Sequence, residues 1–213
     1  MRLSELSEQS GVPTATIKYY LREGLLPPGE RVTATTSSYD EAHLRRLRLV
    51  RALIQVGRLP VATVREVLAH ADNEELGRTM RLGAALWELP SAPEPELPAA
   101  DYARAEEVVA QLLARLGWSS AQELAALSPS HRSLVVALAT LTGLGYPFPD
   151  ERLVPYAELM HQAASMDLDF METLPGEAAK VEGALVGTVL FEPVLTALRR
   201  LAQEEESVRR YGV

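Results

Sequence analysis

The chain has 213 residues, of which 47% are hydrophobic and 23% charged, and these proportions are typical of a folded protein. It contains no cysteine, which excludes disulfides, thiolate metal sites and cysteine nucleophiles. No apolar run is long enough to span a bilayer and no signal peptide is visible. We therefore expect a cytoplasmic protein without a membrane partner.

The net charge of −8 is unevenly distributed along the chain. Residues 1–72 carry ten basic and eight acidic side chains, whereas residues 73–213 carry eleven basic and twenty-one acidic ones. Because phosphate binding depends on local basic patches, a surface for nucleic acid is expected in the first third of the chain.

That first third predicts two short helices joined by a tight turn. Ser4 is a candidate cap for the first helix, Gly11 breaks the helical pattern, and Thr14 is a candidate cap for the second. The second helix closes at Gly24. Two short helices separated by a tight glycine turn are typical of a helix-turn-helix.

The segment that follows predicts a wing and two further helices. Residues 30–38 are rich in threonine, serine and valine, which favours a short β-hairpin. Asp40 is a candidate cap for a third helix, in which apolar residues recur every three or four positions among several arginines. Gly57 ends that helix, and Pro60 marks the start of a fourth.

The remainder predicts helices on both sides of a proline-rich linker. A fifth helix is expected over 73–89, and four prolines between positions 90 and 98 indicate a semi-rigid boundary. Beyond it we expect helices near 101–117, 120–127, 129–143, 151–174 and 177–210, with a break at Pro193. The predicted fold is mainly α. Its parts are a winged helix-turn-helix domain (1–72), a short helix with linker (73–100), and an all-helical effector-binding and dimerisation domain (101–213).

The second helix has the composition of a DNA-recognition helix. Ile17 and Leu21 mark its inner face, and Lys18 and Arg22 lie four residues apart, where both can meet a phosphate or a guanine edge. The remaining side chains of the predicted outer face are also polar or aromatic: Thr14, Thr16, Tyr19 and Tyr20.

The pattern Ile-Lys-Tyr-Tyr-x-x-x-Gly-Leu-Leu-Pro, preceded by Gly-Val-x-x-x-Thr, resembles the MerR family of transcriptional regulators over residues 1–72. The resemblance implies a homodimer that binds inverted repeats in double-stranded promoter DNA and distorts the promoter so that RNA polymerase engages it. The implied DNA contacts are Thr14, Thr16, Lys18, Tyr19, Tyr20, Arg22, Arg31, Tyr39 and Arg45. Two departures are visible: the wing lacks the family's Gly-Tyr-Arg, and the prolines interrupt the family's dimerisation helix.

Two apolar stripes in the C-terminal half each allow two interpretations. One joins Tyr156, Met160, Asp167 and Phe170, and is either a binding site for a small organic effector, a hydrophobic cation above all, or a core stripe. The other, on the last helix, includes Leu198 and Leu201, and is either a dimer interface or an intrachain packing face. The helical composition of this half is loosely similar to the regulatory domains of TetR-type repressors.

No arrangement of side chains predicts catalysis. Glu158 and His161 form one Glu-x-x-His motif, whereas helical di-metal sites need two, and no catalytic triad or phosphate loop is visible. We expect no enzyme activity, metal or cofactor. Two alternatives to a MerR-type regulator remain: a winged module that docks on protein or recombination DNA, and a small-molecule-binding protein with an auxiliary DNA-binding domain.

Overall fold

The computed structural model describes residues 1–33, 36–90 and 95–212, which are mainly α-helical. The chain forms two packing units: residues 1–88 together with 174–213 make unit 1, and residues 89–173 make unit 2. This division differs from the predicted C-terminal domain over 101–213, because the last helices pack with the N-terminal segment rather than with their sequence neighbours.

The N-terminal part of unit 1 has the predicted order of a winged helix-turn-helix. Its elements are α1 (Leu3–Ser10), α2 (Thr14–Arg22), β1 (Glu30–Arg31), β2 (Ser37–Ser38), α3 (Glu41–Gln55) and α4 (Val61–Asp72). The two strands pair antiparallel, with Glu30 opposite Ser38 and Arg31 opposite Ser37. Positions 34 and 35 of the predicted wing lie outside the described residues.

The helix boundaries follow local backbone chemistry. Gly11 ends α1 with a φ of +67°, a left-handed conformation that glycine adopts without steric cost. Asp40 caps α3 as predicted, since its carboxylate accepts a hydrogen bond from the His43 amide at 3.0 Å. The predicted caps at Ser4 and Thr14 are wrong, because α1 starts one residue before Ser4 and Thr14 is itself the first residue of α2.

An apolar core joins the first four helices: α1 packs on both α2 and α3, and α3 packs on α4. Its centre is formed by side chains with no more than 1% exposure, among them Leu6, Ile17, Leu47, Val50, Val64 and Val67. Burying one such aliphatic side chain contributes about 1.5–3 kcal/mol. The core therefore holds the outer face of α2 in one orientation relative to the wing and α3.

Four further elements complete unit 1: α5 (Arg78–Trp87), α10 (Gly176–Leu185), a π-helical turn (Val186–Leu190) and α11 (Glu192–Tyr211). Helix α10 packs on α4 and α5, and the π turn packs on α3. The π turn approaches the chain closely at Gly57, where a Cβ atom would lie 2.6 Å from Val189 Cγ1. Helix α5 begins later than the predicted residue 73, because the segment from Asn73 forms turns.

The last helix leaves this core. Pro193 lies in the first turn of α11, where a missing amide costs nothing, and the axis bends by 42° at this point, as the sequence predicts. No residue of α11 is buried. No single described helix has both the length and the apolar content to cross a membrane. The helices 176–190 and 192–211 reach that length and apolar content only when they are counted together as one bent pair, which is weak support for a membrane span.

Unit 2 is a small helical assembly of α6 (Ala99–Leu116), α7 (Ser119–Glu123), α8 (Pro129–Gly143) and α9 (Asp150–Glu172). Helix α6 packs on α8 and on α9, and its core includes Val109, Leu113 and Leu138. Ser128 caps α8, since its hydroxyl accepts a hydrogen bond from the His131 amide at 3.2 Å. Positions 91–94 of the predicted linker lie outside the described residues.

Candidate nucleic-acid interface

Helix α2 has an inner and an outer face, as predicted, but the placement of Tyr20 on the outer face is wrong because this side chain is buried, as is that of Ile17. Ile17 is fully buried, whereas Lys18 is exposed and the Arg22 side chain retains 71% of its accessible surface. Thr14 is also exposed, and Thr16 is half-buried. The helix is thus anchored by one face and offers two cations, one turn apart, to solvent on the other.

Aromatic rings support the outer face of α2. The Arg22 guanidinium carbon lies 5.2 Å from the centre of the half-buried Tyr19 ring, and its Nε lies 3.5 Å from a Glu23 carboxylate oxygen. An exposed ion pair at that distance contributes little. Arg22 is therefore oriented by Tyr19 but remains accessible to an incoming anion.

The wing and the start of α1 extend this surface. Lys18 shares a shallow cleft of about 350 Å³ with Arg2, Ser4, Ser37 and Tyr39. Three elements, namely the recognition helix, the first helix and the second wing strand, therefore border the same groove. Two of the five side chains named are cationic, so the groove suits a phosphate oxygen.

Tyr39 fastens the base of the wing. Its ring is 7% exposed and packs edge-on against His43, with ring centres 5.3 Å apart. A Cβ atom at Gly29 would lie 2.8 Å from the Tyr39 ring and 2.6 Å from the Ser38 carbonyl oxygen, so this position has no room for a side chain. Arg31, on β1, is exposed.

The arginines of α3 divide into two groups that the sequence does not distinguish. Arg46 donates to the Leu25 carbonyl at 3.2 Å and pairs with Asp72, and Arg51 donates to the Ser10 carbonyl at 3.3 Å. These two guanidinium groups hold loops in place. Arg45 and Arg48 are exposed one turn apart, and Arg48 is a candidate contact that sequence reasoning did not single out.

Tyr20 occupies a different environment from Tyr19. Its ring is 8% exposed and packs at 5.9 Å from the Tyr19 ring. Burial raises the pKa of Tyr20, although the positive charge of Arg51 offsets part of the effect. The phenol therefore stays neutral at physiological pH, so that its hydroxyl remains a hydrogen-bond donor.

The four predicted effector residues lie on α9, in unit 2. Tyr156, Met160 and Phe170 are exposed at 55%, 54% and 64%, and Asp167 is half-buried. They share one face of the helix, as the sequence predicts, and that face is open to solvent. Within the described residues, no three histidine or carboxylate side chains come together in a group that suits a metal ion.

Comparison with known proteins agrees with this geometry. The family model described as MerR HTH family regulatory protein matches residues 1–71. The HTH-type transcriptional regulator ZntR homolog of Haemophilus influenzae is 36% identical over 50 residues, which are 24% of this chain and 37% of that protein. The HTH-type transcriptional regulator AdhR of Bacillus subtilis is 30% identical over 57 residues, which are 27% of this chain and 41% of that protein. The chain thus matches about two fifths of the length of these curated relatives.

A solved structure extends the similarity to the whole chain. SCO5550 from Streptomyces coelicolor A3(2), to which a role as transcriptional regulator is provisionally assigned, is 59% identical. The match covers 100% of this chain and 99% of that one, with a TM-score of 0.80. The fold and the exposed recognition helix define a winged helix-turn-helix regulator. Residues 1–71 form a helix-turn-helix domain of the MerR family.

Proposed function

We propose that this protein regulates transcription by binding an inverted repeat in double-stranded promoter DNA, with α2 in the major groove. The observation that carries the proposal is the exposure of Lys18 and Arg22 on a helix whose opposite face is locked in the core. Thr14, Thr16 and Tyr19 flank these cations on the same helix. Base contacts from Arg22 and Lys18 would each discriminate by about 1–3 kcal/mol.

The wing and α3 supply phosphate contacts in this proposal. Arg31 and Arg45 are exposed and carry charges that can pair with the backbone. Tyr20 and Tyr39 are mostly buried, so each would reach DNA only through its hydroxyl edge while its ring braces the structure. Since promoter DNA is the partner, we place the protein in the cytoplasm.

We further propose that the protein acts as a homodimer held by α11. Val194, Leu198, Leu201 and Val208 recur at the spacing of a heptad seam and are exposed at 41%, 54%, 59% and 49%. No residue of α11 is buried within the chain, so this apolar seam is free to pack against the same seam of a second copy. In an antiparallel pair Leu198 of one copy lies against Leu201 of the other, which gives the self-complementary contact that two-fold symmetry requires.

The MerR-type domain at residues 1–71 also supports a mechanism through DNA shape. We propose that the bound dimer bends and undertwists the promoter, so that RNA polymerase engages elements that are otherwise misaligned. RNA polymerase is then an indirect partner. A gel-based bending assay, with the binding site placed at different positions in a fragment, tests this: mobility that does not depend on the position would contradict it.

A small organic effector is the remaining part of the proposal. The open stripe formed by Tyr156, Met160, Asp167 and Phe170 combines aromatic, thioether and carboxylate groups, which suit a hydrophobic cation. A thermal-shift screen with hydrophobic ammonium compounds tests the stripe. A shift that Asp167→Ala removes would support it, and no shift with any compound would contradict it.

The DNA-reading role of α2 is tested with duplexes selected from a random pool. We expect Arg22→Gln to bind the selected site about tenfold or more weakly than wild type and to accept base changes at particular positions. Arg104→Gln, an exposed arginine on α6, is the matched control. Equal affinity and equal base preference for Arg22→Gln and wild type would contradict the proposal.

A further inference from the structure

A second cleft in unit 1 has no role in the proposal above. It has a volume of about 470 Å³ and lies between α3, the turn after α4, helix α5 and α10. Volumes of this size are usual for small-molecule sites. Four buried apolar side chains line it: Leu49, Ala71, Val181 and Leu185. Part of the wall of the cleft is therefore apolar.

The same cleft contains a buried cation. Arg81 is only 8% exposed, and its Nε donates to the Ala71 carbonyl at 2.8 Å, with Nη2 donating to the same oxygen. Nη1 has no acceptor among the described residues, and it is not shut off from solvent. Arg81 lines the cleft, so a ligand bound there would lie beside its guanidinium group. A guanidinium so deeply buried gains from an anionic partner.

Arg81 makes no hydrogen bond to a carboxylate among the described residues. Asp72 is held by Arg46. Glu177, outside the lining, accepts from Arg78 at 2.8 Å, and the charge of Arg81 also helps to lower the pKa of Glu177. Glu74, Glu182 and Arg45 also line the cleft. Of the charged side chains in the lining, Arg81 is the buried one.

We propose that this cleft binds a small organic carboxylate, its charge on Arg81 and its hydrocarbon on Leu49, Val181 and Leu185. The site would be where an effector acts, an assignment that rests on the proposed regulatory function. It differs in chemistry from the stripe on α9, which suits a cation and is open along its length. Residues from several elements line the cleft, so a ligand there would be contacted from more than one side.

The cleft also has a direct connection to the DNA-reading surface. Gly24 and Pro27, in the loop between α2 and the wing, form part of its wall. Arg46 holds the neighbouring Leu25 carbonyl, and Arg45, at the same cleft, is a proposed phosphate contact. A carboxylate bound in the same cleft as Arg45 would offset part of the positive charge that Arg45 offers to DNA, so ligand and duplex are expected to weaken each other's binding.

Isothermal titration of the full chain with hexanoate and benzoate tests the proposal. We expect saturable binding of at least one acid, and at least tenfold weaker binding of hexylammonium and hexanol. Ala178→Phe and Ala42→Phe place a ring in the cleft from two different helices, and each should weaken acid binding at least tenfold. Ala69→Phe, on the exposed face of α4 and outside the lining, is the matched control and should bind like wild type.

Three results would overturn the proposal: no saturable binding of either acid, binding that both cleft variants leave unchanged, or equal binding of hexylammonium. Duplex affinity measured on the same samples separates this site from the regulatory function. If the acids fail to bind while the selected duplex binds normally, the cleft assignment is wrong and the DNA-binding proposal stands. If the acids bind and the duplex does not, the DNA-binding proposal is wrong and the cleft assignment stands.

Discussion

Replacing Leu201 by alanine should weaken the proposed α11 dimer by about two orders of magnitude. The change removes three carbons from each copy, and burying one such carbon contributes about 0.8 kcal/mol. Because Leu201 is 59% exposed in the single chain, only that share of its surface is left for a partner to cover. The loss is then about 1.4 kcal/mol per copy and about 2.8 kcal/mol per dimer, roughly a hundredfold in the dissociation constant.

Sedimentation equilibrium over a dilution series measures this dissociation constant directly. Leu168→Ala is a suitable control, because Leu168 is 54% exposed on α9, outside the α11 seam, and the substitution is chemically identical. We expect the control to match wild type. A Leu201→Ala protein that dimerises as tightly as wild type would show that α11 does not form the interface. A wild-type chain that is monomeric at all concentrations would refute the dimer itself.

Two further predictions concern unit 1. Gly57→Ala should lower the free energy of unfolding by about 1–3 kcal/mol in urea titrations, because its Cβ would lie 2.6 Å from Val189 Cγ1 and 2.7 Å from the Leu53 carbonyl oxygen. Gly187→Ala, with open space around its Cβ, should be close to neutral, and equal unfolding midpoints for the two variants would contradict the packing of the π turn on α3. Hydrogen bonds from His43 hold the pKa of Asp40 below its usual range, so the ionised carboxylate is favoured in the fold and its contribution is lost as pH falls through that lowered pKa. Asp40→Asn should flatten the acid limb of a pH–stability curve, and an unchanged limb would show that the cap does not set it.

The elements that could be predicted from the sequence are those fixed by local chemistry. Gly11 and Gly24 both adopt a positive φ at the ends of short helices, and Asp40 caps α3 through its own carboxylate. Periodicity places Ile17 inside and Lys18 outside because a helix repeats every 3.6 residues whatever surrounds it. For this reason the winged helix-turn-helix and its recognition face can be predicted from the sequence.

Features that depend on distant residues could not be predicted. The arginines of α3 are alike in sequence, and only the position of the Leu25 carbonyl and Asp72 makes Arg46 structural while Arg45 stays exposed. The return of residues 174–213 to unit 1 depends on the packing of α10 on α4 and α5, to which the proline-rich linker gives no clue. The cleft around Arg81 exists only because of that return.

A salt titration of duplex binding tests the central claim most directly. The selected inverted repeat and a scrambled duplex of equal length are compared from low to high ionic strength, with wild type and Lys18→Ala. If α2 reads DNA as proposed, wild type should prefer the repeat about a thousandfold or more at physiological salt. Lys18→Ala should then either lose part of that preference or show a slope in log affinity against log salt reduced by about one contact. Equal affinity of wild type for the repeat and the scrambled duplex at every salt concentration would contradict the account.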